Sequence, residues 1–364
     1  MNMKKYIILL LFLFLSCSVK FKQSYIYERP GMHNNLNFTD SISQAWSREL
    51  KNYPAEIFNL NQNKVLIGDS RGGLLVLDLL NGKEIDRYWK DYQRPIKIHD
   101  IVNDVLFFSA ANIQELTAWN LKKAELKWKR EYDFEFDHFF ELEDSFYGKH
   151  DRGVCRIDTS DGKLLKKLTT MEKLIENIVS WENKMLVVTE SGKLKIINSN
   201  LAIDKTVDLG VQLVENLVLK NNILVLHNSS GRLKIFDLAK EELVFNRKYN
   251  RTIYSQPLLS DSLLIIPFAD GEIKAINYKN NSTVWTFSNP ELLNLDPVFI
   301  DRQLIVPYAS QGNIVSLEQK TGTKIGEYKT GESIDYVKLT ARGLLYSHHK
   351  KLNLIRNSNE REEN

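Results

Sequence analysis

The residues whose types and spacing could do chemistry begin just after an apolar run. Gly68, Gly72 and Gly73 follow Val65-Leu66-Ile67 in the stretch GDSRGGLLVLDLLNGKEI (68–85). A glycine-rich turn after a strand can cradle phosphate with backbone N–H groups, but that use requires a helix to follow. The residues after Gly73 carry no helical period, and neither a GxSxG elbow nor a GxxxxGK[ST] loop occurs in the chain. Asp69, Glu190 and Asp270 recur just before the first turn of a repeated pattern, where two carboxylates could share acid and base roles. Turn chemistry accounts for them more simply, because Asp and Asn satisfy turn amides. The seven histidines are His33, His99, His138, His150, His227, His348 and His349, with no HxH or HExxH spacing among them. Zinc sites need three or four converging ligands, so no metal site is expected, and the histidines read as surface or loop residues. The sequence gives no reason to expect a cofactor.

The elements that would position these residues come from a repeat. Eight segments align, starting at 65, 105, 146, 185, 223, 263, 304 and 344, the last being the weakest. The turn glycine falls at Gly73, Gly153, Gly192, Gly231, Gly271 and Gly312, a period near 40. Asn112 stands near its place in the second copy and Lys350-Lys351 in the eighth. In each unit an apolar run precedes the glycine and an alternating run follows it, as in Lys193-Leu194-Lys195-Ile196. A second turn comes next (Asn81-Gly82, Asp161-Gly162, Thr321-Gly322), suited to the positive φ of tight hairpins. Then come a strand that often carries an aromatic and a fourth apolar run, such as Pro257-Leu258-Leu259, expected to close the unit. Four strands in about 40 residues is a propeller blade. The expected fold is therefore all-β, an eight-bladed β-propeller of four-stranded antiparallel blades. The eighth copy lacks a strand that AWSREL (45–50) can supply, so an N-terminal strand is expected to complete the last blade and close the ring. Trp46, Trp128 and Trp285 share one repeat position and are expected to pack between blades. Cys155 reads as a small core filler.

Composition narrows the function classes. With 49 basic and 46 acidic residues the formal net charge is +3, with no sustained basic patch, so no nucleic-acid partner is expected. Residues 1–16 have the layout of a signal peptide: Lys4-Lys5, the apolar run YIILLLFLFL (6–15), then Ser16 before Cys17. The stretch Phe14-Leu15-Ser16-Cys17 resembles a bacterial lipobox, with Phe14 where Leu is usual. That resemblance implies lipid attachment at Cys17, and Ser18 after it implies the outer membrane, periplasmic face. Cys155 would then be the one cysteine left, without an internal disulfide. The expected domains are 1–16 signal peptide, 17–43 lipidated cysteine and tether, 44–358 propeller and 359–364 polar tail.

The pattern of Asp78…Gly82-Lys83 and Asp158…Gly162-Lys163 resembles the PQQ-type propeller repeat, over about 45–357. Repeat, lipobox and length together resemble the propeller lipoprotein of the outer-membrane β-barrel assembly machinery. That family implies a non-enzymatic scaffold that docks on the core barrel subunit and helps present unfolded outer-membrane proteins. It also implies docking through two connections between blades, 168–177 and 207–216, where the candidate residues are Lys173, Leu174, Ile175, Asp208 and Val211. The alternative is that these apolar residues only begin the next inner strand. PQQ-type repeats also build quinoproteins, which as a family hold the quinone with calcium, often beside a vicinal cysteine pair. The chain is short for that class and has no such pair, but a PQQ-like ligand-binding or enzymatic propeller remains the alternative reading.

Overall fold

The structure is a computed structural model that describes residues 20–27, 36–89, 92–175, 178–212, 214–260 and 262–358. Its described residues form eight antiparallel sheets of four strands each, arranged as the blades of a ring. The first blade shows the plan: β2 (Pro54–Asn61), β3 (Lys64–Asp69), β4 (Gly73–Asp78) and β5 (Glu84–Trp89) pair in that order. The first strands of successive blades touch one another, which places them at the axis. The fourth strands form the rim and are the most exposed, as in Leu164–Thr169. Second strands are buried on both faces, because each blade is sandwiched between two others. This explains why Val105–Ala110 and Gln303–Tyr308 read as continuous rather than alternating runs, each buried at every position.

The structure corrects the phase of the repeat. The fourth apolar run does not close its unit; it opens the next blade at the axis. Leu258 and Leu259 pair with Ile265 and Leu264, and Val298–Ile300 pair with Gln303–Ile305. Closure follows the expectation: β1 (Ile42–Glu49) pairs antiparallel with the strand Lys351–Asn357, matching Trp46 to Leu354, and so becomes the outer strand of blade eight. The turn glycine is also reassigned by one residue in the first blade. Gly72, not Gly73, has the positive φ (103°) shared with Gly192 (88°), Gly231 (83°) and Gly271 (90°). Gly68 answers to a different need, since a Cβ there would lie 2.7 Å from the Ile96 carbonyl oxygen of the neighbouring blade.

The tryptophans fasten one blade to the next. Trp46 Nε1 donates to Leu79 O at 2.8 Å, Trp128 Nε1 to Thr159 O at 2.9 Å, and Trp285 Nε1 to Gln319 O at 3.1 Å. Each ring lies on the hairpin glycine of the following blade: Gly82, Gly162 and Gly322 would place a Cβ within 2.5–2.8 Å of ring atoms. The glycine therefore serves the turn and the indole together. Two stretches ahead of β1 also lie against the ring. Phe21 and Tyr25 are buried between blades one and two, and Leu36 and Phe38 beside blades seven and eight.

Candidate functional site

Antiparallel order puts every second-to-third-strand turn at the same end of its blade as the connection to the next blade. These loops share one face of the ring, and the residues expected to dock lie on it. Thr170 opens the connection between blades three and four with its hydroxyl donating to Glu172 O at 2.7 Å. The backbone then pairs inward: Leu174 N donates to Asp151 O at 2.7 Å and Ile175 N to Val188 O at 2.9 Å. The connection between blades four and five begins with an Asp turn, Gly210 N donating to Asp208 Oδ1 at 2.8 Å. Both connections grip one turn, 189–192. Glu190 N donates to Lys173 O at 3.0 Å on one side, and Leu209 N donates to Gly192 O at 3.0 Å on the other.

The five candidates therefore belong to one neighbourhood but divide by burial. Lys173 and Asp208 are exposed, while Leu174, Ile175 and Val211 are buried at 5%, 7% and 0% exposure. Leu174 joins the core between blades three and four; Ile175 and Val211 join the core between four and five. Leu174 and Ile175 precede the strand Val179–Trp181 and already pair with Thr189 and Val188 at the end of its neighbour, and Val211 precedes the strand Asn216–Lys220, so these apolar residues lie beneath the loop and lead into the next inner strand. The surface above them holds Met171, 99% exposed, and Glu172, neither singled out by sequence reasoning. Glu172 bonds Lys193 Nζ at 2.6 Å and also the Ser191 hydroxyl. The Lys193 ammonium, then Ser191, hold its carboxyl down at about 2. Tyr53, Tyr254 and Leu292 are further exposed apolar side chains on connections of the same face. The only sequence signal for Met171 was a large apolar residue set among Thr169, Thr170 and Glu172. Cys17 lies outside the described residues.

The axis supplies a second site. Glu56 on β2 accepts a hydrogen bond from Ile98 N at 2.5 Å. Burial raises its carboxyl above the ordinary range, against the lowering effect of that bond and of Lys338 and Lys97. Lys338, on the first strand of blade eight, is pushed down by burial. His99 bonds the Ser109 hydroxyl at 2.8 Å and is driven down to about 3, again by burial. A cavity of about 510 Å3 lies among the first strands of blades three to five, lined by His138, Phe140, Val179, Leu217 and Leu219 with Gln256 beyond. Among the described residues, no three His, Cys, Asp or Glu side chains gather as metal ligands do. Cys155 is fully buried, its thiol pushed up to about 12 by burial, which makes it a filler and not a nucleophile.

Comparison with known proteins agrees with this architecture. The family model described as outer membrane protein assembly factor BamB matches residues 199–343. No curated protein matches the chain. Among solved structures, BamB from Moraxella catarrhalis is similar at a TM-score of 0.69 and 15% identity, covering 87% of this chain and 100% of that one. The computationally designed protein Ika8 gives 0.66 and 13% over 85% and 98%. Saccharomyces cerevisiae Sqt1 gives 0.64 and 10% over 84% and 98%. At these identities the structures speak for the fold alone. The chain is an eight-bladed propeller of PQQ-type repeats that resembles BamB, in sequence over 199–343 and in fold around the whole ring.

Proposed function

We propose that the protein is a lipid-anchored scaffold of the β-barrel assembly machinery, held at the periplasmic face of the outer membrane through Cys17. It would bind the core barrel subunit and help present unfolded outer-membrane proteins without catalysing a reaction. The observation that carries this reading is the BamB match over 199–343, which includes the connection holding Asp208 and Val211. The partner surface would be the exposed layer of the loop face, Met171, Lys173 and Asp208, supported from below by Leu174, Ile175 and Val211. Affinity purification of the native protein from solubilised membranes is the test. Recovery of the barrel subunit supports the reading, and its absence among the co-purifying proteins sinks it.

Ligand binding at the axis is the second reading, motivated by Glu56 and Lys338, on the first strands of the adjacent blades one and eight, whose charges act on each other without a close ion pair. A rise in melting temperature with pyrroloquinoline quinone and calcium, lost in Glu56→Gln, would favour it over the scaffold.

A further inference from the structure

Asp86 lies on the rim strand of the first blade, where an outward carboxylate would ordinarily face water. Instead it is 6% exposed. Its Oδ1 accepts from Arg87 N at 2.8 Å. Its Oδ2 accepts from Lys22 N at 2.8 Å, Gln23 N at 3.0 Å and the Tyr25 hydroxyl at 3.0 Å, all from the segment ahead of the ring. A buried carboxylate oxygen left without donors is strongly destabilising, and these three donors to Oδ2 all come from that segment. Apolar contacts finish the seat. The Phe21 ring centroid lies 5.9 Å from that of Tyr88 in blade one and 5.8 Å from that of Trp119 in blade two. Tyr25 N donates to Leu121 O at 2.9 Å, and Ile26 O accepts from Asn61 at 3.3 Å. Residues 20–27 therefore form a strap laid in the groove between the first two blades.

We propose that this strap fixes the wall between blades one and two as the membrane-facing side of the ring, against anionic phospholipid headgroups. The inference rests on the lipid anchor at Cys17 proposed above. From Cys17 to Ile42 an extended chain would span about 90 Å, whereas from Cys17 to the seated Phe21 it spans about 14 Å. A loose tether would let the ring turn freely above the bilayer; a seated strap holds one wall against it. The charge there fits such a surface. Lys20 and Lys22 on the strap and Lys122 and Lys123 in the turn beside Tyr25 are exposed, with Glu125 near Lys123 at 3.8 Å as the opposing charge. Each lysine at an anionic surface strengthens binding by about five-fold.

Lys122 and Lys279 occupy equivalent turns in blades two and six, on opposite sides of the ring, and both are exposed. The full lipoprotein would be placed in phosphatidylethanolamine–phosphatidylglycerol vesicles carrying a headgroup quencher. A fluorophore would be attached through Lys122→Cys or Lys279→Cys, since buried Cys155 is not available to it. Quenching is expected to be at least two-fold stronger at 122, and to become equal in the Asp86→Ala background. Equal quenching in the parent, or stronger quenching at 279, would overturn the proposal. Hydrogen exchange at the Lys22, Gln23 and Tyr25 amides in soluble Cys17→Ser protein tests the strap alone. Protection that Asp86→Ala removes supports it, and free exchange with Asp86 intact overturns it. If instead the parent and Cys17→Ser proteins partition alike, the anchor reading has failed and the strap measurement still stands.

Discussion

Gly162 and Gly331 have nearly the same left-handed backbone, φ +77° and +76°, in different surroundings. A Cβ on Gly331 meets nothing within 4 Å, whereas on Gly162 it would stand 2.8 Å from the Trp128 ring. Gly331→Ala should therefore cost only the left-handed strain, about 1 kcal/mol. Gly162→Ala must also unseat an indole and should cost about 2–4 kcal/mol in all. Urea midpoints of the two variants compare them directly, and equal losses would count against the tryptophan contact. A second residue-scale prediction concerns pH. His227 is fully buried, neither ring nitrogen reaches a protein partner, and burial drives its pKa to about 4 from an ordinary 6.5. The unfolded chain then binds the extra proton between these values. The neutral form's contribution is complete above pH 6.5, falls as pH drops through that window, and levels off below 4. At pH 5 the loss from this one group should be on the order of 2 kcal/mol. In His227→Leu, the difference between urea stabilities at pH 7 and pH 5 should shrink by that amount.

Closure is a property of strands. Removing Ile42–Glu49 bares the edge of Lys351–Asn357 and uncovers Gly82, where Trp46 sits. The shortened chain should lose its sharp thermal transition and associate on a sizing column, because an exposed edge recruits other strands. A peptide of residues 40–51 added in trans should restore the transition, and the same peptide with Trp46→Ala should not. At this level the sequence was a good guide: period, blade count and missing strand were legible because turn glycines and apolar runs recur. The phase was not legible, because first and second strands are both apolar runs, and only pairing shows that Leu258–Leu259 face forward to the next blade. Gly72 was missed for Gly73 because two adjacent glycines offer the same signal and only φ separates them. The strap was hidden as well. Phe21 and Tyr25 are isolated rings in a polar stretch, and their partners Asp86, Tyr88 and Trp119 are distant in sequence. At the candidate docking loops, the two connections came from the family resemblance, and residue type did no more than name apolar and charged side chains within them. It did not tell the exposed Lys173 and Asp208 from the buried Leu174, Ile175 and Val211.

For the whole molecule, the proposed partner surface can be tested without harming the ring. Lys173 and Asp208 are exposed, so Lys173→Glu with Asp208→Asn, which keeps an oxygen for the Gly210 amide, should leave the melting temperature within a degree or two. Recovery of the barrel subunit in the affinity experiment should fall several-fold, most clearly in low salt, since charges at the edge of an interface act mainly on association. Val211→Asp would be the wrong variant for this purpose: it places a charge in the core between blades four and five and should unfold that part of the ring. The meeting of Trp46 with Leu354 has a further consequence, in time rather than in space. The two residues are about 300 positions apart, so this pairing is among the slowest the chain has to make. Synthesis runs from the N-terminus, so β1 is made first and seated last. Until Lys351–Asn357 has been delivered, β1 waits without the strand it pairs with. A chain whose synthesis stops before Lys351 therefore produces a ring that cannot shut, with β1 left without the neighbour it pairs with.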